Sequence, residues 1–176
     1  IYLSLSDYVQ HKHAPDAPEA IAFMSAVDQR LARLVELGAC LGIVADHGMN
    51  DMAHPGGEPN VVYLGDLLDA AFGAGATRVI CPITDPFVRH HGALGGFVRI
   101  HLQRTEPSST TVLNFIRQIP GVCMAAAREE ACLRFELPAD REGDIAVVAS
   151  CGVALGAHAG DHDLSQLAGE RLHGPA

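Results

Sequence analysis

The spacing of apolar residues over the first third of the chain predicts two strands joined by one helix. An alternation of apolar and polar residues over 1–6 is typical of a strand. A helix is predicted from Asp16, a good N-cap, to Gly38, a good stop. Its apolar face would consist of Ile21, Met24, Val27, Leu31, Leu34 and Val35. The apolar run 41–45 then predicts a buried strand, and this strand–helix–strand unit favours a parallel sheet covered by helices.

From Val61 onward, shorter predicted elements follow one another. We predict strands over 61–64, 77–83, 97–102, 131–136 and 145–149, and helices over 65–72 and 109–119. The tail from Gly156 to Ala176 is rich in glycine, histidine and aspartate, which is typical of a loop. The expected organisation is an α/β fold with a parallel sheet core over 1–64, an inserted α+β cap lobe over 65–150, and a return to the core over 151–176.

Composition limits the classes of function. Of the 176 residues, 48% are hydrophobic and 19% are charged, which is typical of a globular protein. The formal net charge of −9 argues against a broad nucleic-acid-binding surface. No apolar run approaches the about 18 residues that a membrane-spanning helix needs. The five cysteines lack a C-x-x-C spacing and predict reduced, buried thiols in a cytoplasmic protein.

Two aspartate–histidine pairs stand where the first two predicted strands end. Asp7 and His11 are one helical turn apart, so that both can face one cation with an oxygen and a nitrogen ligand. Asp46 and His47 follow the second strand, and Gly48 gives the backbone the freedom to turn so that their side chains converge. The alternative for the first pair is that Asp7 caps the following turn and His11 is exposed in a loop. The alternative for the second pair is that Asp46 is an N-cap and His47 lies next to a metal ligand without binding the metal.

The two pairs are expected to meet at one edge of the sheet. A right-handed crossover brings both strand ends to the same edge, usually within one or two strand spacings, about 5–10 Å. Side chains at that separation suit a pair of divalent ions a few ångströms apart. The C-terminal ends of parallel strands are also where α/β sheets open a ligand crevice. The combination therefore indicates a metal site more specifically than either pair does.

The segments that carry these pairs resemble those of phosphonoacetate hydrolases. The metal-binding segments of that family are similar to LSDYVQHKHAP and VADHGMNDM, and the Asp-His-Gly at a strand end is similar to that of the wider alkaline phosphatase superfamily. The lobe that distinguishes phosphonoacetate hydrolases from their relatives is similar to NVVYLGDLLD and GATRVICPITDPFVRHHGALGGFVRIHL. The resemblance covers essentially the whole chain and implies an alkaline-phosphatase-like α/β fold with an inserted lobe.

The same resemblance implies two zinc ions in the complete active site. One would be bound by Asp7, His11 and a histidine near the end of the chain, and the other in part by Asp46 and His47. His173 best resembles the terminal His-Gly of the family, which makes it the implied late ligand.

Two further histidines of the tail, His158 and His162, remain as alternatives to this late ligand. The nucleophilic threonine of the family, its early metal-binding aspartate and its substrate-binding lysines have no counterpart here. We therefore assign no catalytic residue, and we expect those groups upstream in a longer protein.

The activity that the resemblance implies is hydrolysis of phosphonoacetate to acetate and phosphate, with a small-molecule phosphonate as the ligand. No nucleic-acid or membrane partner is expected, and a homodimer is the oligomer considered. One alternative is a phosphodiesterase or nucleotide pyrophosphatase of the same superfamily, which the absence of tryptophan and the presence of only three tyrosines slightly oppose. Another is a metal-binding polypeptide that is not catalytic by itself.

Overall fold

The computed structural model describes residues 2–3, 6–45, 47–83, 94–167 and 171–175, with only the backbone of Asp7, Gln166, Gly174 and Pro175. The helices are α1 (Asp7–Lys12), α2 (Pro18–Glu36), α3 (Leu64–Phe72), α4 (Ser109–Ile116) and α5 (Arg128–Phe135). The strands are β1 (Met49–Asp51), β2 (Val61–Tyr63), β3 (Thr77–Ile80), β4 (Phe97–Leu102), β5 (Val122–Ala127), β6 (Ile145–Ala149), β7 (Ala154–Gly156) and β8 (His173–Pro175).

Within 65–150, the range predicted to form the lobe, the described strands form an antiparallel sheet of order β3-β4-β6-β5. Successive side chains of a strand point to opposite faces, and both faces of this sheet are covered. Helices α3 and α4 pack on the face that carries Ile100 and Val147, and the rings of Phe72 and Phe115 meet edge to face there, with centroids 5.3 Å apart. Helix α5 packs Ala131 against the other face.

The chain enters and leaves the lobe through two strands that lie side by side. Strand β2 pairs in parallel with β7. The side-chain amide of Asn60 donates a 2.8 Å hydrogen bond to the carbonyl of Gly152. The amide of Gly65 donates another, also 2.8 Å, to the carbonyl of Ala157. The lobe is therefore anchored at both ends to one small parallel pair.

The tail returns to the segment that follows Asp46 and His47. Strand β8 pairs antiparallel with β1, and the amide of Met52 donates a 2.8 Å hydrogen bond to the carbonyl of Leu172. Leu172 is fully buried in a second apolar cluster with Met52, Leu94 and Ala154. The tail was predicted to be a loop, and this prediction was wrong for His173–Pro175, which form strand β8.

Helix α2 confirms the predicted helix but begins differently. Its N-cap is Ala17, without a side-chain hydrogen bond, so the prediction that Asp16 caps it was wrong. Pro18 occupies the first turn, where its fixed φ and missing N–H cost nothing. Gly38 has φ +83° and donates to the carbonyl of Val35, which confirms the predicted stop.

The strand predicted over 131–136 was wrong, because this segment belongs to helix α5, and strand β5 before it was missed. The alternation of apolar residues with other types at 131–136 mimics a strand, yet Leu133 is 86% exposed. Glu129 and Glu130 lie in the first turn of α5, where carboxylates favour a helix N-terminus. Strand β5 was not predicted because its last three residues are alanines, and alanine has a low strand propensity.

The apolar run 41–45 was predicted to be a buried strand, and this prediction was wrong. Ile43 and Val44 are 81% and 93% exposed. A strand needs a neighbour to accept and donate its backbone hydrogen bonds, and no described segment pairs with this one. For the strand predicted over 1–6, residues 1, 4 and 5 lie outside the described part, and the chain that follows forms helix α1.

The cysteines are free thiols, as expected, but the prediction that they are buried was wrong. Cys40, Cys123 and Cys151 are exposed, and Cys81 and Cys132 are half-buried. Strand β5 shifts its register between Val122 and Met124, so Cys123 has no partner position in the sheet. In the ranges that the structure describes, no helix is both long and apolar enough to cross a bilayer.

Glu142 gives a test of the lobe's stability. Its carboxylate lies 2.8 Å from Nε of Arg99, and its side chain is only 2% exposed. We expect Glu142→Ala to lower the free energy of unfolding by about 3 kcal/mol, because the substitution leaves Arg99 without its counter-ion. As a control, Glu130→Ala breaks the exposed Arg117–Glu130 pair and should cost less than about 1 kcal/mol. Equal costs in urea denaturation would contradict this role of Glu142.

Gly65 gives a test of the lobe's attachment. A Cβ atom at this position would lie 2.6 Å from the carbonyl oxygen of Ala157 and 2.8 Å from Cε1 of His158. Gly65→Ala should therefore force the tail away from α3 and lower the free energy of unfolding by about 1–3 kcal/mol. Gly160→Ala is the matched control, because nothing lies within 4 Å of its Cβ position. If both variants unfold at the same urea concentration, this contact does not limit stability.

Candidate metal centre

The buried histidine of the tail is the centre of the candidate site. His173 is 5% exposed, and no group in the described ranges makes a hydrogen bond to either of its ring nitrogens. Burying a polar nitrogen without a partner is unfavourable. A metal ion bound to one of these nitrogens would satisfy it, since neutral imidazole is a good zinc ligand.

The surroundings of His173 keep its ring neutral. Burial lowers the pKa of His173 below its ordinary value, and this effect is opposed by the carboxylate of Asp51 and by the nearby carbonyl of His11. That carbonyl approaches the ring but does not complete a hydrogen bond to it. Because a metal binds the neutral form of histidine, the environment suits a metal ligand.

Helix α1 lies against the strand that carries His173. Helix α1 contacts β8, and the backbone of His11 is near enough to the His173 ring to raise its pKa. Asp7 begins the same helix four residues before His11, although its side chain lies outside the described part. Residues four apart in a helix share one side. The backbone thus brings three of the predicted ligand positions to one place.

The second predicted pair is less fully described. Asp46 lies outside the described residues. His47 is exposed, and its Nδ1 lies 3.0 Å from the carbonyl oxygen of its neighbour Gly48. The chain then runs directly into β1, which pairs with β8. The pair is therefore tethered to the strand opposite His173, although a joint site remains a prediction.

Within the described part of the chain, no three carboxylate, imidazole or thiol groups lie close enough to hold a metal ion. Asp46 and the side chain of Asp7 lie outside that part. The ligand set Asp7, His11, Asp46, His47 and His173 stays a prediction. The donor chemistry fits zinc, because carboxylate oxygens and imidazole nitrogens are its usual ligands beside thiolates.

The alternative histidines of the tail already have partners. His158 Nδ1 lies 3.0 Å from Asp66 Oδ1, and the other oxygen of Asp66 accepts a 2.9 Å hydrogen bond from the amide of Ala159. These two bonds, the backbone one first, lower the pKa of Asp66. His162 Nε2 accepts from the amide of Ala157 at 2.9 Å. Both histidines thus shape the loop 157–162, and this supports His173 as the late ligand.

Sequence reasoning missed two residues that lie beside His173. Asp51 is its partner across the β1–β8 pair, and Arg171 lies two residues before it. Arg171 Nη2 lies 2.7 Å from Asp51 Oδ2. The only signal in the sequence was that Asp51 falls within the segment VADHGMNDM. Nothing in that segment shows which strand Asp51 will face.

Comparisons with known proteins identify the family of this chain. The family model for type I phosphodiesterase / nucleotide pyrophosphatase matches residues 1–175. The solved phosphonoacetate hydrolase of Sinorhizobium meliloti in complex with phosphonoformate is 47% identical, with a TM-score of 0.86 over 96% of this chain and 40% of that chain. The complex with phosphonoacetate gives 44% identity and a TM-score of 0.83, over 96% of this chain and 40% of that one.

A more distant structure shares the fold alone. Murine ectonucleotide pyrophosphatase / phosphodiesterase 5 is 21% identical, with a TM-score of 0.58 over 100% of this chain and 47% of that chain. The present chain spans about 40% of the length of the solved phosphonoacetate hydrolases. The predicted resemblance and the predicted α/β class are confirmed. The chain belongs to the type I phosphodiesterase / nucleotide pyrophosphatase family and has the fold of alkaline-phosphatase-like enzymes.

Proposed function

We propose that the protein containing this chain is a metal-dependent hydrolase that cleaves the C–P bond of phosphonoacetate. The observation that carries this proposal is the 47% identity over 96% of the chain to a phosphonoacetate hydrolase solved with phosphonoformate. Because the chain spans about 40% of that enzyme, the activity is proposed for the whole protein.

The proposed reaction is hydrolysis to acetate and phosphate. It breaks the C–P bond, joins an oxygen from water to phosphorus, and leaves a proton on the carbon. Divalent ions supply charge stabilisation at the phosphonate oxygens and lower the pKa of a bound nucleophile. The contribution of this chain is to hold those ions with carboxylate and imidazole groups.

We assign Asp7, His11 and His173 to one zinc ion, and Asp46 with His47 to part of a second. Three structural features support the first set: the ring nitrogens of His173 have no hydrogen-bond partner among the described residues, its pKa is lowered, and α1 packs against β8. The pairing of β1 with β8 supports the second, since it carries the Asp46–His47 segment towards the same strand. No catalytic side chain is assigned within the described residues.

Hydrolysis of a nucleotide phosphodiester is the second candidate. The description of the matching family favours it, since it names phosphodiesterases and nucleotide pyrophosphatases. The solved pyrophosphatase / phosphodiesterase is only 21% identical, against 47% for the phosphonoacetate hydrolase. The larger identity, over 96% of this chain, is our reason for ranking phosphonoacetate first.

The metal assignment is tested by the tail histidines. We expect His173→Ala to lose its tightly bound zinc. Its zinc affinity should fall by more than the about 10–100-fold that follows from removing a hydrogen-bond partner of a metal ligand. His162→Ala should keep its zinc, because its Nε2 already accepts the Ala157 amide. The measurement is zinc per chain by elemental analysis after gel filtration without added metal. Zinc lost from His162→Ala and retained by His173→Ala would reverse our assignment of the tail.

The substrate is tested by comparing two probes. Phosphate release from phosphonoacetate and p-nitrophenol release from thymidine 5′-monophosphate p-nitrophenyl ester are followed with zinc supplied. The protein is assayed as the 176-residue chain and after fusion to the unmatched part of the Sinorhizobium meliloti enzyme. We expect the fusion to act on phosphonoacetate, and to lose this activity with a chelator and with His173→Ala. Activity on the diester alone would favour the second candidate.

A further inference from the structure

Three residues share one face of the β1–β8 ribbon next to the candidate metal centre. Asp51 lies directly opposite His173 in the antiparallel register. Side chains of opposite residues lie on the same face, with Cβ atoms about 4.5–5.5 Å apart. Arg171 precedes His173 by two residues, and alternation along an extended chain places it on that face as well. The contact between Arg171 and Asp51 agrees with this placement.

The carboxylate of Asp51 is held from two sides. Oδ1 accepts a 3.1 Å hydrogen bond from the amide of Ala53. Oδ2 lies 2.7 Å from both Nε and Nη2 of Arg171. Arg171 is fixed in turn, because its Nη2 also donates to the carbonyl of Ala53 at 3.3 Å. A carboxylate has about four acceptor positions, and these contacts use three of them, so one remains for a further donor.

His173 offers the complementary group. Both of its ring nitrogens are buried and neither makes a hydrogen bond to the described residues. If a metal ion takes one nitrogen, the other carries the proton and needs an acceptor. Histidines that bind metals usually donate that proton to a carboxylate, a backbone carbonyl or water, and this bond fixes the ring and strengthens the ligand.

We propose that Asp51, anchored by Arg171, is the positioning residue for His173, its carboxylate accepting the N–H of the ring when the other nitrogen binds a metal ion. This inference rests on the proposed function, since it assumes that His173 is a metal ligand. It adds an aspartate and an arginine to the site, neither of which binds the metal. The competing acceptor is the carbonyl of His11, which also faces the ring.

The lobe contains a closely matched pair that serves as the control. Arg128 Nη2 lies 2.6 Å from Asp144 Oδ1, and the two side chains are 38% and 31% exposed, against 37% and 32% for Arg171 and Asp51. Asp144 also accepts a backbone amide, that of Leu102, and Arg128 also donates to a backbone carbonyl, that of Gly143. The control pair does not include any of the groups that shift the pKa of His173.

The experiment measures zinc affinity by competition with a chromophoric chelator. Asp51→Asn should weaken zinc binding about 10–100-fold, the usual effect of removing a hydrogen-bond partner from a metal-binding histidine. Asp144→Asn should bind zinc as the unaltered protein does. The absorption spectrum of bound Co²⁺ should change with Asp51→Asn and not with Asp144→Asn, because it reports ligand geometry rather than stability. Thermal unfolding with a chelator present should show that the two variants are similarly stable without metal.

A second pair of variants keeps the test decisive if Asp51→Asn does not fold. Arg171→Lys retains the positive charge but loses the two-nitrogen hold on Asp51, so zinc affinity should fall severalfold. Arg128→Lys should leave it unchanged. Equal zinc affinity and equal Co²⁺ spectra for the Asp51 and Asp144 variants, with His173→Ala still losing zinc, would overturn the inference alone and assign the positioning to the His11 carbonyl. Zinc binding that does not depend on His173 would overturn the metal assignment as well.

Discussion

The return of the tail to the segment after residue 48 is the constraint on which the candidate site depends. Leu172 is fully buried with Met52, Leu94 and Ala154, and the backbone of Leu172 is hydrogen-bonded to that of Met52. Adjacent side chains of an extended chain point to opposite sides, so the burial of Leu172 directs His173 away from this cluster and towards α1. One apolar contact thus sets the position and the direction of the proposed metal ligand.

The lobe is stabilised largely by its own contacts. Its sheet is covered on both faces, by α3 and α4 on one and by α5 on the other. It joins the rest of the chain through the parallel pair β2–β7, where both connections lie within one strand spacing. This arrangement agrees with the high similarity over the whole chain to phosphonoacetate hydrolases, lobe included.

The chemistry of the site follows from burial more than from charge. Burial lowers the pKa of His173, which favours its neutral form, and the described residues give its ring nitrogens no hydrogen-bond partner. The other tail histidines show the contrast: His158 and His162 are engaged by Asp66 and by the amide of Ala157. Of the three tail histidines, His158 and His162 thus hold the loop 157–162 together, and His173 is the one that we propose as a metal ligand.

The sequence by itself determined the fold class, the family, helix α2, most of the lobe's elements and the list of candidate ligands. The elements follow from periodicity, and the family and the ligand list follow from the resemblance of short segments to phosphonoacetate hydrolases, so local information is enough for both. It misassigned 131–136 because a short amphipathic helix and a strand can share one pattern, and it placed a strand at 41–45 because an apolar run does not show whether a partner strand pairs with it. Only the tertiary structure decided that His173 is buried opposite Asp51 and beside His11, while His158 and His162 are occupied. Such neighbours are brought together by long-range pairing and packing, which no local pattern of residues encodes.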